Sequence, residues 1–389
     1  METRTVRLGD VATVNPRLPL TKGTVARKIP MEALTAHQRY IDSFIYERYS
    51  GGAKFQNGDT LIARITPSLE NGKTSYVDLL DKNEIAFGST EFIVLRAKNK
   101  LILPKFLYYI AISNSFRQMA IQSMTGTSGR QRVQNESVIN YEFPLPIMDE
   151  QKAIVKLLDS IDSKIELNRQ INKNLLKLAV LEFNKWLDFN QSNQYTSLDK
   201  IANFKNGIAM QKFPPTDNVH VLPVLKIREL NQGYIDSSSG LVTSAIDDDV
   251  KVYNGDLIFS WSGTLSVKIW TDGDAALNQH LFKVTSDRWP KWFYYMWILH
   301  HLQKFRGIAA DKKTTMGHIK RKDLTNAGVL IPNVKEFKDL DITLNPIIEQ
   351  IINVGIESKN LANIRNIMLP KLLSGSIDLS GIEEVIKDA

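Results

Sequence analysis

The chain has 389 residues, 43% of them hydrophobic, with 49 Lys and Arg against 42 Asp and Glu for a net charge of +7. It contains no cysteine, which excludes disulfides, thiolate nucleophiles and Cys-ligated zinc. No run approaches 18 uncharged apolar residues, so no membrane span is expected, and Met1-Glu2-Thr3-Arg4 opens no apolar signal segment, so a cytoplasmic location is expected.

Residues 1–148 carry a net charge of +6. Short apolar runs from Val77 to Val94, broken by Gly, Asp and Asn, predict strands. Residues 101–122 are apolar and aromatic with few breakers and predict helix. The segment therefore reads as an α/β globular domain. It ends in a polar loop, Thr125-Gly126-Thr127-Ser128-Gly129-Arg130-Gln131-Arg132, with a proline break beyond it at Pro144-Leu145-Pro146.

From Asp149 to about Leu187 there is neither Pro nor Gly. Asp149 suits an N-cap and Glu150 the positive helix N-terminus. Ile154, Leu158, Ile161 and Ile165 keep 4-3-4 spacing, a heptad seam. Ile171, Leu175 and Leu178 are expected to resume the stripe after a change of phase. Asn168 and Asn172 lie between the two stripes, where a buried Asn would set register. Such a helix would span roughly 58 Å. The block 149–190 is electrically neutral.

Residues 191–389 repeat the pattern of residues 1–190. Leu8-Gly9-Asp10-Val11-Ala12 resembles Leu198-Asp199-Lys200-Ile201-Ala202, and Gly58-Asp59-Thr60-Leu61-Ile62 returns as Gly255-Asp256-Leu257-Ile258-Phe259. Pro104-Lys105-Phe106-Leu107-Tyr108-Tyr109 returns as Pro290-Lys291-Trp292-Phe293-Tyr294-Tyr295. Gly129 is matched to Gly317, and Pro144 to Pro332. Leu158, Ile161, Ile165, Asn174 and Leu175 match Leu344, Ile347, Ile351, Asn360 and Leu361. The order is kept throughout, which points to duplication of one unit. Residues 191–333, net +4, are the second globular domain, with strands expected between Val250 and Val284 and a helix over 290–306. Trp261, Trp289 and Trp292 read as packing residues. The second polar loop, 312–322, holds Lys312, Lys313, Lys320, Arg321 and Lys322 with no acid. Residues 334–389, net −3, carry the second helix, expected from about Leu344 to Leu372 with Pro346 in its first turn and Gly355 weakening its middle. Ile348, Ile351 and Ile352, then Leu361, Ile364 and Ile367, form its stripe. Neither helix can bury its stripe alone. Pairing the two as an antiparallel coiled coil, with a globular domain at each end, is the expected solution; packing of each helix on its own domain is the alternative.

Recognisable catalytic chemistry is missing. There is no P-loop, no G-x-S-x-G, and no pair among His37, His220, His280, His300, His301 and His318 with metal-ligand spacing. Phe213-Pro214-Pro215-Thr216 lacks the residues of an adenine-methyltransferase motif. Glu150-Gln151-Lys152 matches half of a nuclease motif, but a first-turn acid accounts for Glu150. Binding is better supplied. Gly allows close backbone approach, Ser and Thr donate to phosphate, and Arg, Lys and Gln reach base edges. A solvated loop explains either polar loop by itself; two loops at one repeat position in two basic domains favour DNA.

Three segments carry a family resemblance: Gly58-Asp59-Thr60-Leu61-Ile62-Ala63-Arg64, the Thr314-Thr315-Met316-Gly317-His318-Ile319 run, and Pro144-Leu145-Pro146-Ile147-Met148-Asp149-Glu150-Gln151. Together they resemble the specificity subunit of type I restriction–modification systems. The second helix departs from the pattern, with Asn333-Val334-Lys335-Glu336-Phe337 replacing the Glu-Gln start. The resemblance implies an α+β protein with two α/β target-recognition domains, 1–148 and 191–333. Two paired helical spacers, 149–190 and 334–389, would separate them in a pseudo-twofold duplication. It implies a non-catalytic reader of a bipartite double-stranded DNA target, one half-site per domain. Two modification subunits and restriction subunits would be its partners. S-adenosylmethionine, ATP and Mg would sit on those partners, with no cofactor or metal on this chain. DNA contact is expected from Arg64, Thr127, Ser128, Arg130, Gln131, Arg132, Lys312, Lys313, Thr314, Thr315, His318, Lys320 and Arg321. The helix seam is expected from Ile154, Leu158, Ile161, Ile165, Leu175, Leu178, Ile351, Leu361 and Ile364. The rivals are a modification enzyme or nuclease with an unrecognised site, and a two-headed protein scaffold.

Overall fold

The computed structural model describes residues 3–98, 100–127, 129–189, 194–236, 238–311 and 317–376. The chain divides into two compact units, residues 1–166 with 361–389, and residues 167–360.

In the first unit β1 (Thr3–Arg7) leads through a helical turn α1 (Leu8–Val11) into β2 (Ala12–Val14), β3 (Val25–Ile29), β4 (Ile45–Arg48) and β5 (Lys54–Phe55). Then come β6 (Thr60–Ala63), β7 (Thr74–Tyr76), β8 (Ala86–Gly88) and β9 (Phe92–Ala97). Helices α2 (Pro104–Ile112), α3 (Asn114–Gln122) and α4 (Asn135–Ile139) precede β10 (Glu142–Pro146) and the long helix α5 (Met148–Phe189). The strands make one sheet of order β2-β9-β6-β7, a second of order β4-β3-β8-β5, and a ribbon of β1 with β10. All pairs are antiparallel except β3 with β8. β6 is buried at every position, which is why it reads as an apolar run without alternation. The helix expected over 101–122 is two helices. Ser113 separates them: its hydroxyl donates to the Ile110 carbonyl at 2.7 Å and accepts from the Phe116 N–H at 3.3 Å, the N-cap role that ends one helix and starts the next.

The second unit repeats this plan. It contains β11 (Tyr195–Ser197), α6 (Leu198–Ile201), β12 (Asn203–Asn206), β13 (Val221–Leu225), α7 (Ile227–Gln232), β14 (Leu241–Thr243) and β15 (Lys251–Val252). Next are β16 (Leu257–Ser260), β17 (Val267–Ile269), β18 (Ala275–Leu277) and β19 (Leu281–Thr285). After these come α8 (Lys291–Ala310), α9 (Arg321–Thr325), β20 (Gly328–Leu330) and α10 (Val334–Leu373). Its sheets have the orders β12-β19-β16-β17 and β14-β13-β18-β15, with β11 paired to β20. The single parallel pair recurs as β13 with β18. Strand for strand this is the topology of the first unit.

Hydrogen bonds set the repeat register more finely than residue identity. Leu8 N–H donates to the Tyr141 carbonyl at 2.8 Å, and Leu198 N–H to that of Ala327 at 2.9 Å. Arg7 opposes Glu142, and Ser197 opposes Gly328. Pro332 therefore corresponds to Pro146, two residues beyond the Pro144 with which residue identity matches it. The Gly-Asp pairs are structural. Gly58 and Gly255 adopt φ of 93° and 91°, a left-handed turn that favours glycine. The Asp next in sequence caps the turn, accepting from Gln56 N–H at 2.9 Å in one unit and Tyr253 N–H at 2.8 Å in the other. Each Asp then pairs with a cation from the central strand, Asp59 with Arg96 at 2.6 Å and Asp256 with Lys283 at 2.8 Å.

Within each unit a stretch of α5 pairs with a stretch of α10, in opposite directions. Asp162 is joined to Arg365 in the first unit; in the second, Asn168 donates to Glu357 at 2.7 Å and Asn172 to the Ile351 carbonyl at 3.1 Å. Ile154, Leu158 and Ile161 are buried and Ile165, Leu175, Ile351 and Leu361 half-buried, as the seam requires. Two expected seam residues are not in it: Leu178 is 44% and Ile364 46% exposed. The reason is that α5 does not change phase between Ile154 and Ala179. Asn168 and Asn172 occupy seam positions themselves, so the heptad runs through them to Leu175 and Ala179, and Leu178 falls on the outer face. On α10 the buried Arg365 takes the inward position beside Ile364 and Ile367, both exposed.

The start of α10 also differs from expectation. It begins at Val334, about ten residues early, because Asn333 and Glu336 form a capping box. Lys335 and Glu336 N–H groups donate to Asn333 Oδ1, both at 3.0 Å, while Asn333 N–H donates to Glu336 Oε2 at 2.9 Å. Pro346 consequently lies inside the helix and not in its first turn. Proline has no N–H to donate to the carbonyl four residues back, that of Ile342, and Ile342 is 74% exposed. Gly355 is a packing device: a Cβ there would meet Thr271 at 2.8 Å.

Candidate nucleic-acid interface

In the first unit the polar loop is a hairpin. Thr125 and Arg132 N–H groups donate to each other's carbonyls at 3.1 and 2.9 Å, and Arg130 N–H donates to the Thr127 carbonyl at 3.0 Å across the tip. Gly126 and Gly129 supply the positive φ values, 128° and 77°. The hairpin is seated on the segment that leaves β6: Thr66 N–H donates to the Gln131 carbonyl at 3.1 Å and Val133 N–H to that of Arg64 at 2.9 Å. Thr127 and Arg130 are exposed, and Gln131 is half-buried. Arg132 does not project freely. Its Nε and Nη2 bind the Glu91 carboxylate at 3.0 and 2.7 Å, and this hydrogen bonding holds the Glu91 carboxyl below the usual carboxylate range. Arg64 Nη2 donates to the Val133 carbonyl at 3.1 Å, and its Nε is buried without a partner among the described residues. Arg64 also lines a cleft of about 610 Å³ with Arg17, Lys54 and Thr90.

In the second unit Lys312, Lys313, Thr314 and Thr315, like Ser128 in the first, lie outside the described residues. The segment after them is seated in the same way. Gly263 N–H donates to the Gly317 carbonyl at 2.8 Å and Ile319 N–H to that of Trp261 at 3.0 Å. Gly317 thus stands where Gln131 stands, not Gly129, and His318 where Arg132 stands. A Cβ on Gly317 would meet the Ala309 carbonyl at 2.4 Å, which accounts for glycine there. His318 lies edge-on to Trp261 at 6.3 Å, and His280 lies 6.0 Å from the same ring. Ser262 Oγ and His280 Nδ1 are 3.2 Å apart. Lys320 is exposed. Arg321 folds back, donating to the Phe204 carbonyl at 3.2 Å with its guanidinium 5.9 Å from the Phe282 ring centre.

The structure thus brings Arg64 to Arg132 and His318 to its own seat, and ties Arg321 to the domain. It also adds Glu91 and His280, which sequence reasoning missed, while Trp261, expected as a packing residue, packs against the core and lies beside both histidines. Glu91 and His280 each sit in the turn before the central strand, where Phe92 N–H donates to Ser89 and Leu281 N–H to Asn278. Only alignment of the two repeats by their hydrogen bonds reveals them as counterparts, since their chemistry is unlike. Among the described residues no cluster of three His, Asp or Glu could hold a metal, and no helix is long and apolar enough to cross a membrane. Glu150-Gln151-Lys152 is explained by folding. Gln151 is buried, accepting from Leu103 N–H at 2.9 Å and donating to the Pro146 carbonyl at 3.0 Å, and Lys152 pairs with Asp149.

Comparison with known proteins agrees with this duplicated architecture. The sequence model described as the type I restriction modification DNA specificity domain matches residues 2–177 and again 190–366. The specificity subunit of the type I restriction enzyme MjaIX from Methanocaldococcus jannaschii is 26% identical over 71% of this chain and 69% of its own length. That of HindI from Haemophilus influenzae is 33% identical over 34% of this chain and 29% of its own length, so the match spans under a third of that relative. Among solved structures, the S subunit of the type I system of M. genitalium aligns over 96% of both chains with 15% identity and a TM-score of 0.47. The HsdS subunit of Thermoanaerobacter tengcongensis aligns over 96% of this chain and 97% of its own, with 19% identity and a TM-score of 0.39. With two matches to one domain model covering most of its length, the chain belongs to the type I restriction–modification DNA specificity family, as a specificity subunit with two specificity domains in tandem.

Proposed function

We propose that each specificity domain reads one half of a bipartite double-stranded DNA target, and that the chain delivers modification and restriction subunits to that target without catalysing either reaction itself. The observation that carries this reading is the duplicated seat: one segment, held by the same pair of backbone hydrogen bonds, appears at the same place in two domains of a DNA specificity family. Phosphate contacts from the basic domains would supply salt-sensitive affinity and register, and the seated side chains would supply sequence choice. S-adenosylmethionine, ATP and Mg would act on the partner subunits, and this chain would need no cofactor of its own. Methylome sequencing of cells with and without the protein tests the reading. A bipartite motif should lose its methylation in the deletion; an unchanged methylome would count against it. Purified chain incubated with DNA, S-adenosylmethionine and magnesium should neither methylate nor cleave, and either activity would restore the enzyme alternative.

A further inference from the structure

Three positions surround each seat. In the first domain they are Arg64, Glu91 and Arg132; in the second, Trp261, His280 and His318. The backbone beneath them is the same in both. Arg64 and Trp261 come directly after the corresponding strands β6 and β16, and their carbonyls accept from Val133 and Ile319 at 2.9 and 3.0 Å. Glu91 and His280 occupy the same turn ahead of β9 and β19. Arg132 and His318 form isolated bridges with the residues after Arg64 and Trp261, namely Ile65 and Ser262. Below this rim the repeats keep their chemistry: Gly58 and Gly255, then Asp59 and Asp256, do the same work in both. At the rim all three residues change class together, from two guanidiniums and a carboxylate to an indole and two imidazoles. The backbone hydrogen bonds that the two seats share dictate neither set of side chains.

We propose that these three rim positions determine which base pair each domain accepts, so that Arg132, oriented by Glu91, selects a G·C pair in the first half-site, while Trp261, His280 and His318 select a different pair in the second. This rests on the reading that each domain contacts one half-site. The carboxylate of Glu91 takes the Nε and Nη2 side of the Arg132 fork. The end-on edge keeps Nη1, which makes a long bond of 3.4 Å to the Arg130 carbonyl. A guanidinium with its plane fixed and one edge available suits bidentate donation to guanine O6 and N7. Arg17 and Lys54, in the cleft that Arg64 also lines, supply positive charge for the flanking phosphates. The second rim has no such fork. Imidazole nitrogens offer single donors or acceptors, and an indole offers an apolar face to a thymine methyl.

The test is a graft in the full chain, expressed in its host in place of the wild-type chain. Arg64→Trp, Glu91→His and Arg132→His together should change the methylated motif at one or a few base pairs of one half-site. The other half-site and the gap should persist. Arg132→Lys, which keeps the charge but loses the fork, should relax discrimination at one G·C pair by about five- to a hundredfold, and it serves where the triple graft fails to fold. A wild-type motif that is bipartite and survives Arg132→Lys with full discrimination would overturn the assignment of these positions alone. A wild-type methylome without a bipartite motif would instead overturn the reading on which it rests.

Discussion

Arg132 and Glu91 show how much a single ion pair changes the meaning of a basic loop. In the sequence, Arg130 and Arg132 are equal candidates for DNA; in the structure both are exposed, but Arg132 is held by Glu91. The Glu91 carboxyl should titrate below the ordinary glutamate value of about 4.3, and Arg132→Ala should raise it towards that value by NMR titration. The sign for stability comes from the depressed pKa. The pair's contribution is present above the unfolded-state value and is lost as pH falls through the folded one. Thermal midpoints of wild type and Glu91→Gln should therefore converge as pH is lowered below about 4; curves that stay parallel far below that pH would mean the bond is not formed. In the second loop the two cations separate likewise. Both are exposed, but Arg321 is tied to the Phe204 carbonyl. Lys320→Ala should flatten the salt dependence of DNA binding by about one unit of slope, and Arg321→Ala by less. An equal effect of the two would show that Arg321 leaves its seat on binding DNA.

At the level of elements, the long helices were largely legible. Ile154, Leu158 and Ile161 announce their seam through spacing alone. The same spacing carried on reaches Asn168 and Asn172; what it could not show is the partners that make an amide tolerable inside, since Glu357 and the Ile351 carbonyl are 189 and 179 residues away. The start of α10 was legible in principle, since Asn333 and Glu336 stand at capping-box spacing. Asn333→Ala should cost about 1 kcal/mol of stability in denaturant unfolding. Gly355 offers a sharper test of packing against propensity. Alanine is about 1 kcal/mol better than glycine inside a helix, yet the added Cβ would meet Thr271 at 2.8 Å. Gly355→Ala should therefore destabilise the protein, and adding Thr271→Ala should recover part of the loss; a stabilised single variant would show that Thr271 moves aside. The buried Asp162–Arg365 pair, at 3% and 6% exposure, predicts a larger effect. Arg365→Ala should cost roughly 3–5 kcal/mol, because the buried Asp162 carboxyl would lose its cation. A loss far smaller than that would mean water reaches the site.

For the molecule as a whole, the duplication carries a prediction about modularity. Each domain has its own sheets, core and seated loop. Replacing residues 1–148 with the matching domain of a relative should change one half of the methylated motif and leave the other, since base contacts are local to a domain. An assembled, active hybrid that altered both halves would make recognition a joint property of the two domains. Reading the residues in order is enough to establish that there are two copies, that each carries a long helix, and which loops are basic, because periodicity, proline breaks and ordered repetition are local signals. Folding settles which cations are already paired, where the two copies truly correspond, and which side chains share a rim. Glu91 meets Arg132 across 41 residues, and His280 meets Trp261 through a sheet. Such contacts depend on strand pairing that no spacing rule encodes, so the positions at which the two seats differ became visible only once the backbone hydrogen bonds had aligned them.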